Sequence, residues 1–157
     1  MRYILYCKKH DTYPTASLPL PHGYTFTEIK PSFVELIKKQ VTACEFLWGM
    51  MALGRVTIVI VRDNGGVLAH RSTVIGRNFK FPFLRRGECE IGPCLTVPAY
   101  RGKKIYPAVL CYITNTHPQD FLMLVREDNM SSIKGIERAG FTAIGEVKKE
   151  KGRWKKM

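Results

Sequence analysis

The sequence is short of acid. Its 157 residues carry 13 Asp and Glu against 25 Lys and Arg, a formal charge of +12. No stretch reaches the roughly 18 uncharged apolar residues of a membrane-spanning helix, which excludes that architecture. The opening Met1-Arg2-Tyr3-Ile4-Leu5-Tyr6-Cys7-Lys8-Lys9 meets charge too early for a signal-peptide core, so a cytoplasmic location is expected. Cysteine pairs are missing too. Cys7, Cys44, Cys89, Cys94 and Cys111 form an odd set with no Cys-x-x-Cys, and buried reduced thiols are expected. His10, His22, His70 and His117 show no metal-ligand spacing, and no metal is expected. Repeats, low-complexity tracts and long linkers are also lacking.

The apolar content of 45% excludes a disordered chain. The length suits one domain over residues 1–157, able to bury about 70% of its unfolded surface. The positive charge is uneven: six of the 25 basic residues lie in residues 148–157, beside the single acid Glu150. This basic tail reads either as a solvated charge run or as a surface, with Trp154 at its edge, for weak contact with anionic membrane. A basic excess draws nucleic acid, phosphorylated small molecules and anionic lipid alike. No recognised RNA module or aromatic sheet face is visible, so no specific nucleic-acid partner is expected.

Aromatic and β-branched residues predict a strand over 2–7. Residues 11–23 hold three prolines and read as a loop. Pro31 is placed to open a helix with apolar positions at 33, 36, 37 and 41, and residues 44–53 read as a second short helix. Residues 56–62 and 67–75 are strands joined by Asp63-Asn64-Gly65-Gly66, a hairpin signal. A strand over 88–97 is interrupted at Gly92-Pro93, because proline cannot donate to a ladder. A helix over 105–115 follows, then a strand over 121–125. Asn129 caps a helix through Ala139 that Gly140 ends, and residues 141–148 form a last strand.

Chemistry concentrates where the strand over 88–97 delivers the chain to Val97-Pro98-Ala99-Tyr100-Arg101-Gly102-Lys103 and a helix begins. Free N–H groups at a helix start attract phosphate, and Arg101, Lys103 and Lys104 add charge. The bare residues leave two readings, a phosphate loop and a solvated basic turn. The segment is similar to the pyrophosphate loop of the GNAT superfamily of N-acetyltransferases. A second match lies downstream, Asn129-Met130-Ser131-Ser132-Ile133-Lys134-Gly135-Ile136-Glu137-Arg138-Ala139-Gly140-Phe141, which resembles that superfamily's Asn-x-x-Ser/Ala…Glu-x-x-Gly-Phe helix. The resemblance covers residues 56–145.

The resemblance implies an α/β (α+β) fold: a mixed, mostly antiparallel sheet with a central splayed parallel strand pair flanked by helices. It implies acetyl-CoA as co-substrate, held where residues 88–97 and 121–125 diverge. Backbone groups of Leu95 and Val97, with Thr96 between them, would meet the pantetheine arm. Arg101 and the N–H groups of Gly102, Lys103, Lys104, Ile105 and Tyr106 would bind the pyrophosphate. Asn129 and Ser132 would line the cofactor from the downstream helix. Lys104 stands where the motif has its second glycine, Tyr106 at its last Gly/Ala position, and Ile136 in place of a tyrosine general acid.

The acid candidates left are Tyr106 and Tyr112, with core packing as the alternative for each. Glu88 and Glu90 share a strand face and are candidate bases; a solvated face or a salt bridge to Arg85 or Arg86 is the alternative. Cys94 lies near the splay, and the resemblance implies no covalent intermediate. The tyrosine after Ile105 resembles loops of sugar-modifying members. The implied acceptor is a small amine, among them an amino sugar on a nucleotide or lipid phosphate. Protein and aminoglycoside amines are alternatives, as is a non-catalytic acyl-CoA- or nucleic-acid-binding module. The expected state is monomer or homodimer.

Overall fold

The computed structural model describes residues 2–10, 17–51, 55–77, 84–150 and 153–156. Among these residues eight strands form one sheet: β1 (Arg2–Lys8), β2 (Tyr24–Ile29), β3 (Val56–Asp63), β4 (Leu68–Gly76), β5 (Glu88–Thr96), β6 (Asp120–Arg126), β7 (Thr142–Glu150) and β8 (Arg153–Lys156). The described residues also form four α-helices: α1 (Phe33–Ile37), α2 (Ala43–Met51), α3 (Ile105–Thr116) and α4 (Met130–Arg138). The strand order is β2-β3-β4-β5-β6-β1-β7-β8. Every neighbouring pair is antiparallel except β5–β6, which is parallel. This is the mixed, mostly antiparallel sheet with a central parallel pair that the resemblance implies.

Period-two alternation sorts the side chains onto two faces. Val59, Val61, Val74, Ile91, Phe121 and Met123 face α3 and α4, whose Ile105, Val109, Ile113, Ile133 and Ile136 close the main core. The opposite face carries Ile58 and Ile60 against Val41, and Val56 and Ile75 against Trp48 of α2. Farther along it, Leu5, Leu122 and Val147 pack with Leu84. Arg71 ties α2 to β4, its Nε donating to Glu45 Oε1 at 2.6 Å. Burial pushes the Glu45 carboxyl up, but bonds from Arg71 and Thr42 hold it below its ordinary value.

The parallel pairing is short: Glu88↔Asp120, Cys89↔Phe121 and Glu90↔Leu122, and no further. Beyond Glu90, β5 stays with β4 while β6 stays with β1, so the strands diverge. Between Ile91 and Cys94, β5 has one more residue than β4 has between Val74 and Ser72. That bulge falls on Gly92-Pro93, where the proline implied an interruption of the strand; the Gly92-Pro93 peptide bond is cis.

Several expectations change. Pro31 does not open α1; Ser32 caps it, its Oγ accepting from Glu35 N–H at 3.3 Å. The helix ends by Lys38, and Lys39 turns to φ 56, so Phe33 and Ile37 stay exposed and Val41 reaches the core from outside the helix. Residues 24–29, unassigned in sequence, form β2; Tyr24 and Phe26 alternate with exposed threonines and pack on the main core. The tail is not a free solvated run. β7 and β8 make a hairpin, with Trp154 edge-on to Tyr3 at 5.0 Å and Lys149 Nζ 5.5 Å from the indole. The thiols are unpaired; Cys111 is fully buried, Cys7, Cys89 and Cys94 are partly buried, and Cys44 is exposed. Within the loop read over 11–23, residues 11–16 lie outside the described residues. No described helix is long and apolar enough to cross a membrane.

Candidate active site

The divergence of β5 and β6 opens a cleft of about 540 Å³. One wall is the end of β5 with the loop into α3: Cys94, Leu95, Thr96, Tyr100, Arg101 and Gly102, then Lys104, Ile105, Tyr106 and Pro107. The other is the N-terminal end and one face of α4: Asn129, Ser131, Ser132, Lys134, Gly135 and Arg138. Four cations and no carboxylate stand among these residues. Such a site selects an anion.

The loop follows from its residues. Val97 leads into a 3₁₀ turn at Pro98–Tyr100, and Tyr100 donates to Asp63 at 2.6 Å, pinning the turn to the β3–β4 hairpin. That bond holds the Asp63 carboxyl below its ordinary range. Gly102 (φ 76) and Lys104 (φ 60, ψ 15) then take left-handed backbone. Lys104 therefore adopts the conformation for which the resembled motif uses glycine, and it still lines the cleft. The N–H groups of residues 102–106 make no hydrogen bond among the described residues, and they stand at the start of a 12-residue helix.

Most of the expected cofactor residues come together here: Leu95, Thr96, Arg101, Gly102, Lys104, Ile105, Tyr106, Asn129 and Ser132 all line the cleft. Lys103 does not. Its Nζ lies 5.1 Å from the Tyr100 ring, and its charge acts on Asp63.

The backbone reading of Leu95 and Val97 is corrected. Val97 N–H donates to Ala69 of β4 at 3.0 Å. By antiparallel alternation Leu95 then spends its N–H and C=O on Arg71, leaving those of Cys94 and Thr96 toward the splay. Arg101 Nε already donates to Thr96 O at 3.2 Å, which orients the guanidinium. Asn129 lines the cleft, but its Oδ1 caps α4 by accepting from Ser132 N–H at 3.2 Å.

A buried polar chain underlies the β5 wall. His70 is fully buried, with Nδ1 2.7 Å from Thr96 Oγ1 and Nε2 2.7 Å from Ser72 Oγ. Ser72 and Tyr106 both hydrogen-bond Cys94. Burial pushes the Cys94 thiol up to about 12, so it is no nucleophile at neutral pH. Burial also raises Tyr106, keeping its phenol protonated. Its ring lies against Gly135, where an added Cβ would stand 2.6 Å from Tyr106 Cδ1.

Gly135→Ala is thus expected to destabilise the fold by about 1–2 kcal/mol, overpacking outweighing alanine's helix preference. In a Tyr106→Ala background the same change is expected to stabilise. A thermal midpoint unchanged by Gly135→Ala alone would contradict this contact.

Burial lowers His70 from 6.5 to about 4. Above pH 6.5 the imidazole is neutral folded or unfolded. As pH falls through 6.5 toward 4 the unfolded chain gains a proton the folded one refuses, so stability is lost, by about 3 kcal/mol. Thermal unfolding followed from pH 7 to 4 is expected to fall more steeply for the wild type than for His70→Gln.

The candidate bases lie elsewhere. Glu90 is 5% exposed and shares the sheet face away from α3 with Ile75 and Leu122. Glu88 is half-buried; neither Arg85 nor Arg86 forms a salt bridge with it, and its Oε2 instead accepts from Arg85 N–H at 2.7 Å. Tyr112 stacks on Phe26 at 4.2 Å, away from the cleft, so packing is its role. Ile136 is buried in the main core. Sequence reading missed Ser131, Lys134, Gly135 and Arg138. Their spacing of i, i+3, i+4 and i+7 was the available signal.

No family model matches the chain, and no curated protein matches it in sequence. Solved structures do match. A GCN5-related N-acetyltransferase from Sphaerobacter thermophilus superposes with TM-score 0.62 at 16% identity, over 92% of this chain and 49% of that one. A tandem GNAT protein from the clavulanic acid biosynthesis pathway gives 0.60 at 17%, over 90% and 50%. A ribosomal-protein-S5-alanine acetyltransferase from Vibrio fischeri gives 0.56 at 15%, over 83% and 85%. The chain spans about half the length of the first two. What it shares with these proteins is the GNAT acetyltransferase fold.

Proposed function

We propose that the chain is an acetyl-CoA-dependent N-acetyltransferase acting on a small amine. The observation that carries this reading is the acid-free cationic cleft at the β5–β6 divergence, closed by a helix start with free N–H groups. Arg101, Lys104 and the N–H groups of residues 102–106 would hold the pyrophosphate, and the splay-facing backbone of Cys94 and Thr96 the pantetheine arm. Acetyl-CoA supplies an acetyl thioester: the amine nitrogen bonds to the acetyl carbon, the C–S bond breaks, and CoA leaves as thiol. Glu90 would take the amine's proton from the face opposite the cleft. Tyr106, which lines the cleft and is held protonated, would give the departing thiolate its proton in place of the tyrosine that Ile136 replaces. Much of the rate would come from holding both reactants in line.

The acceptor this reading favours is an anionic one, such as an amino sugar on a nucleotide or lipid phosphate, because the chain carries +12. A second reading, a binding module without turnover, draws on the buried Ile136 at the acid position.

Thermal unfolding with saturating acetyl-CoA is expected to rise by several degrees, since a ligand of the native state must stabilise it. No shift would refute the proposal. Thiol release on a panel of amines, amino sugars and their nucleotide conjugates included, separates an enzyme from a binding module.

A further inference from the structure

The cations on the two walls of the cleft differ in what they can serve. Arg101 and Lys104 sit at the helix start beside free N–H groups, which suits a diphosphate bridge carrying about two charges. Lys134 and Arg138 stand on α4, one turn apart, on the same face as Ser131 and Gly135. The other face of α4 is spent on the core through Ile133 and Ile136. Both cations are exposed, and no carboxylate among the described residues pairs with either. The nearby acids are engaged elsewhere: Glu137 accepts from Tyr6 at 3.0 Å, and Asp128 is paired with Arg126. Two cations four residues apart on a helix can converge on one group. A phosphate monoester, at roughly −1.5 to −2 near neutral pH, matches their charge.

We propose that Lys134 and Arg138 form a second anion subsite that recognises the phosphate monoester on the ribose of CoA. The inference rests on the acetyl-CoA reading above. It assigns selectivity between CoA and dephospho-CoA to α4 and leaves diphosphate binding to the α3 wall. Arg138 lies in the last turn of α4, where a cation also favours the helix dipole. A purely structural role would move stability without moving that selectivity.

The test is titration calorimetry of the whole chain with CoA and with dephospho-CoA at low salt. The wild type is expected to bind CoA about tenfold tighter, about threefold for each exposed cation, and the gap should narrow as salt is raised. Lys134→Ser with Arg138→Ser is expected to bring CoA down to the dephospho-CoA affinity and to leave dephospho-CoA within about twofold. Lys134→Arg should keep the gap. Equal affinity of the two ligands for the wild type would overturn the subsite and leave the acetyl-CoA reading standing. An equal loss for both ligands in the double variant would do the same. Binding of neither ligand by a folded wild type would overturn both.

Discussion

Replacing Glu90 by glutamine is expected to lower turnover by roughly 10²–10⁴-fold, the range lost with a general base, while the chain stays folded. Glutamine keeps the shape of the side chain and removes its basicity, so the change isolates proton acceptance. Glu90 is the last β5 residue paired with β6, and it lies on the sheet face opposite α3 and α4. On the proposed reading, a proton acceptor there would meet an amine arriving from one face while the anionic donor occupied the cleft on the other. Glu88→Gln is the control. Its carboxylate is tied to Arg85 N–H at the paired end of the strands, and a loss of under threefold is expected. Steady-state thiol release on whichever amine supports turnover reads both. Equal losses in the two variants, or full activity in Glu90→Gln, would remove Glu90 from the mechanism.

Arg101→Ala combined with Lys104→Ala is expected to weaken acetyl-CoA binding about 30-fold, roughly 1 kcal/mol for each exposed charge. Lys103→Ala is expected to change it less than twofold, because that side chain lies over Tyr100 and beside Asp63. Lys104→Gly separates charge from backbone. Position 104 is left-handed at φ 60, which costs a non-glycine residue roughly 1 kcal/mol. That variant is expected to unfold at a higher temperature and yet bind acetyl-CoA less tightly. Calorimetry and thermal unfolding on the same samples check both parts. If Lys103→Ala weakens binding as much as Lys104→Ala does, the assignment of the loop fails.

The site was legible in sequence to the extent that its parts are local. The run from Val97 to Lys103 specifies a turn, a glycine and a helix start within a few residues, and Asn129 with Gly140 brackets α4. Gly92-Pro93 marked where strand pairing changes, because a proline has no N–H to give. What misled was anything set by a distant partner. Lys103 and Lys104 are alike in sequence, yet Lys104 lines the cleft and Lys103 lies over the Tyr100 ring, whose hydroxyl is held by Asp63, some forty residues earlier. Leu95 and Val97 looked available for a ligand, but the register with Ala69 and Arg71 spends their backbone groups and leaves those of Cys94 and Thr96 toward the splay.

By itself the sequence determined the alternation of strands and helices, the basic surplus and the basic, glycine-containing turn that opens α3, since propensity, capping and charge act between near neighbours. Only the tertiary structure decided which charges face the cleft. Antiparallel register sets which N–H and C=O groups of β5 point to the splay. The packing of α3 on α4 puts Tyr106 against Gly135. The fold of α4 over the main core turns Lys134 and Arg138 toward the same cleft as Arg101 and Lys104. Those relations join residues far apart in the chain, and they exist only once the core has closed.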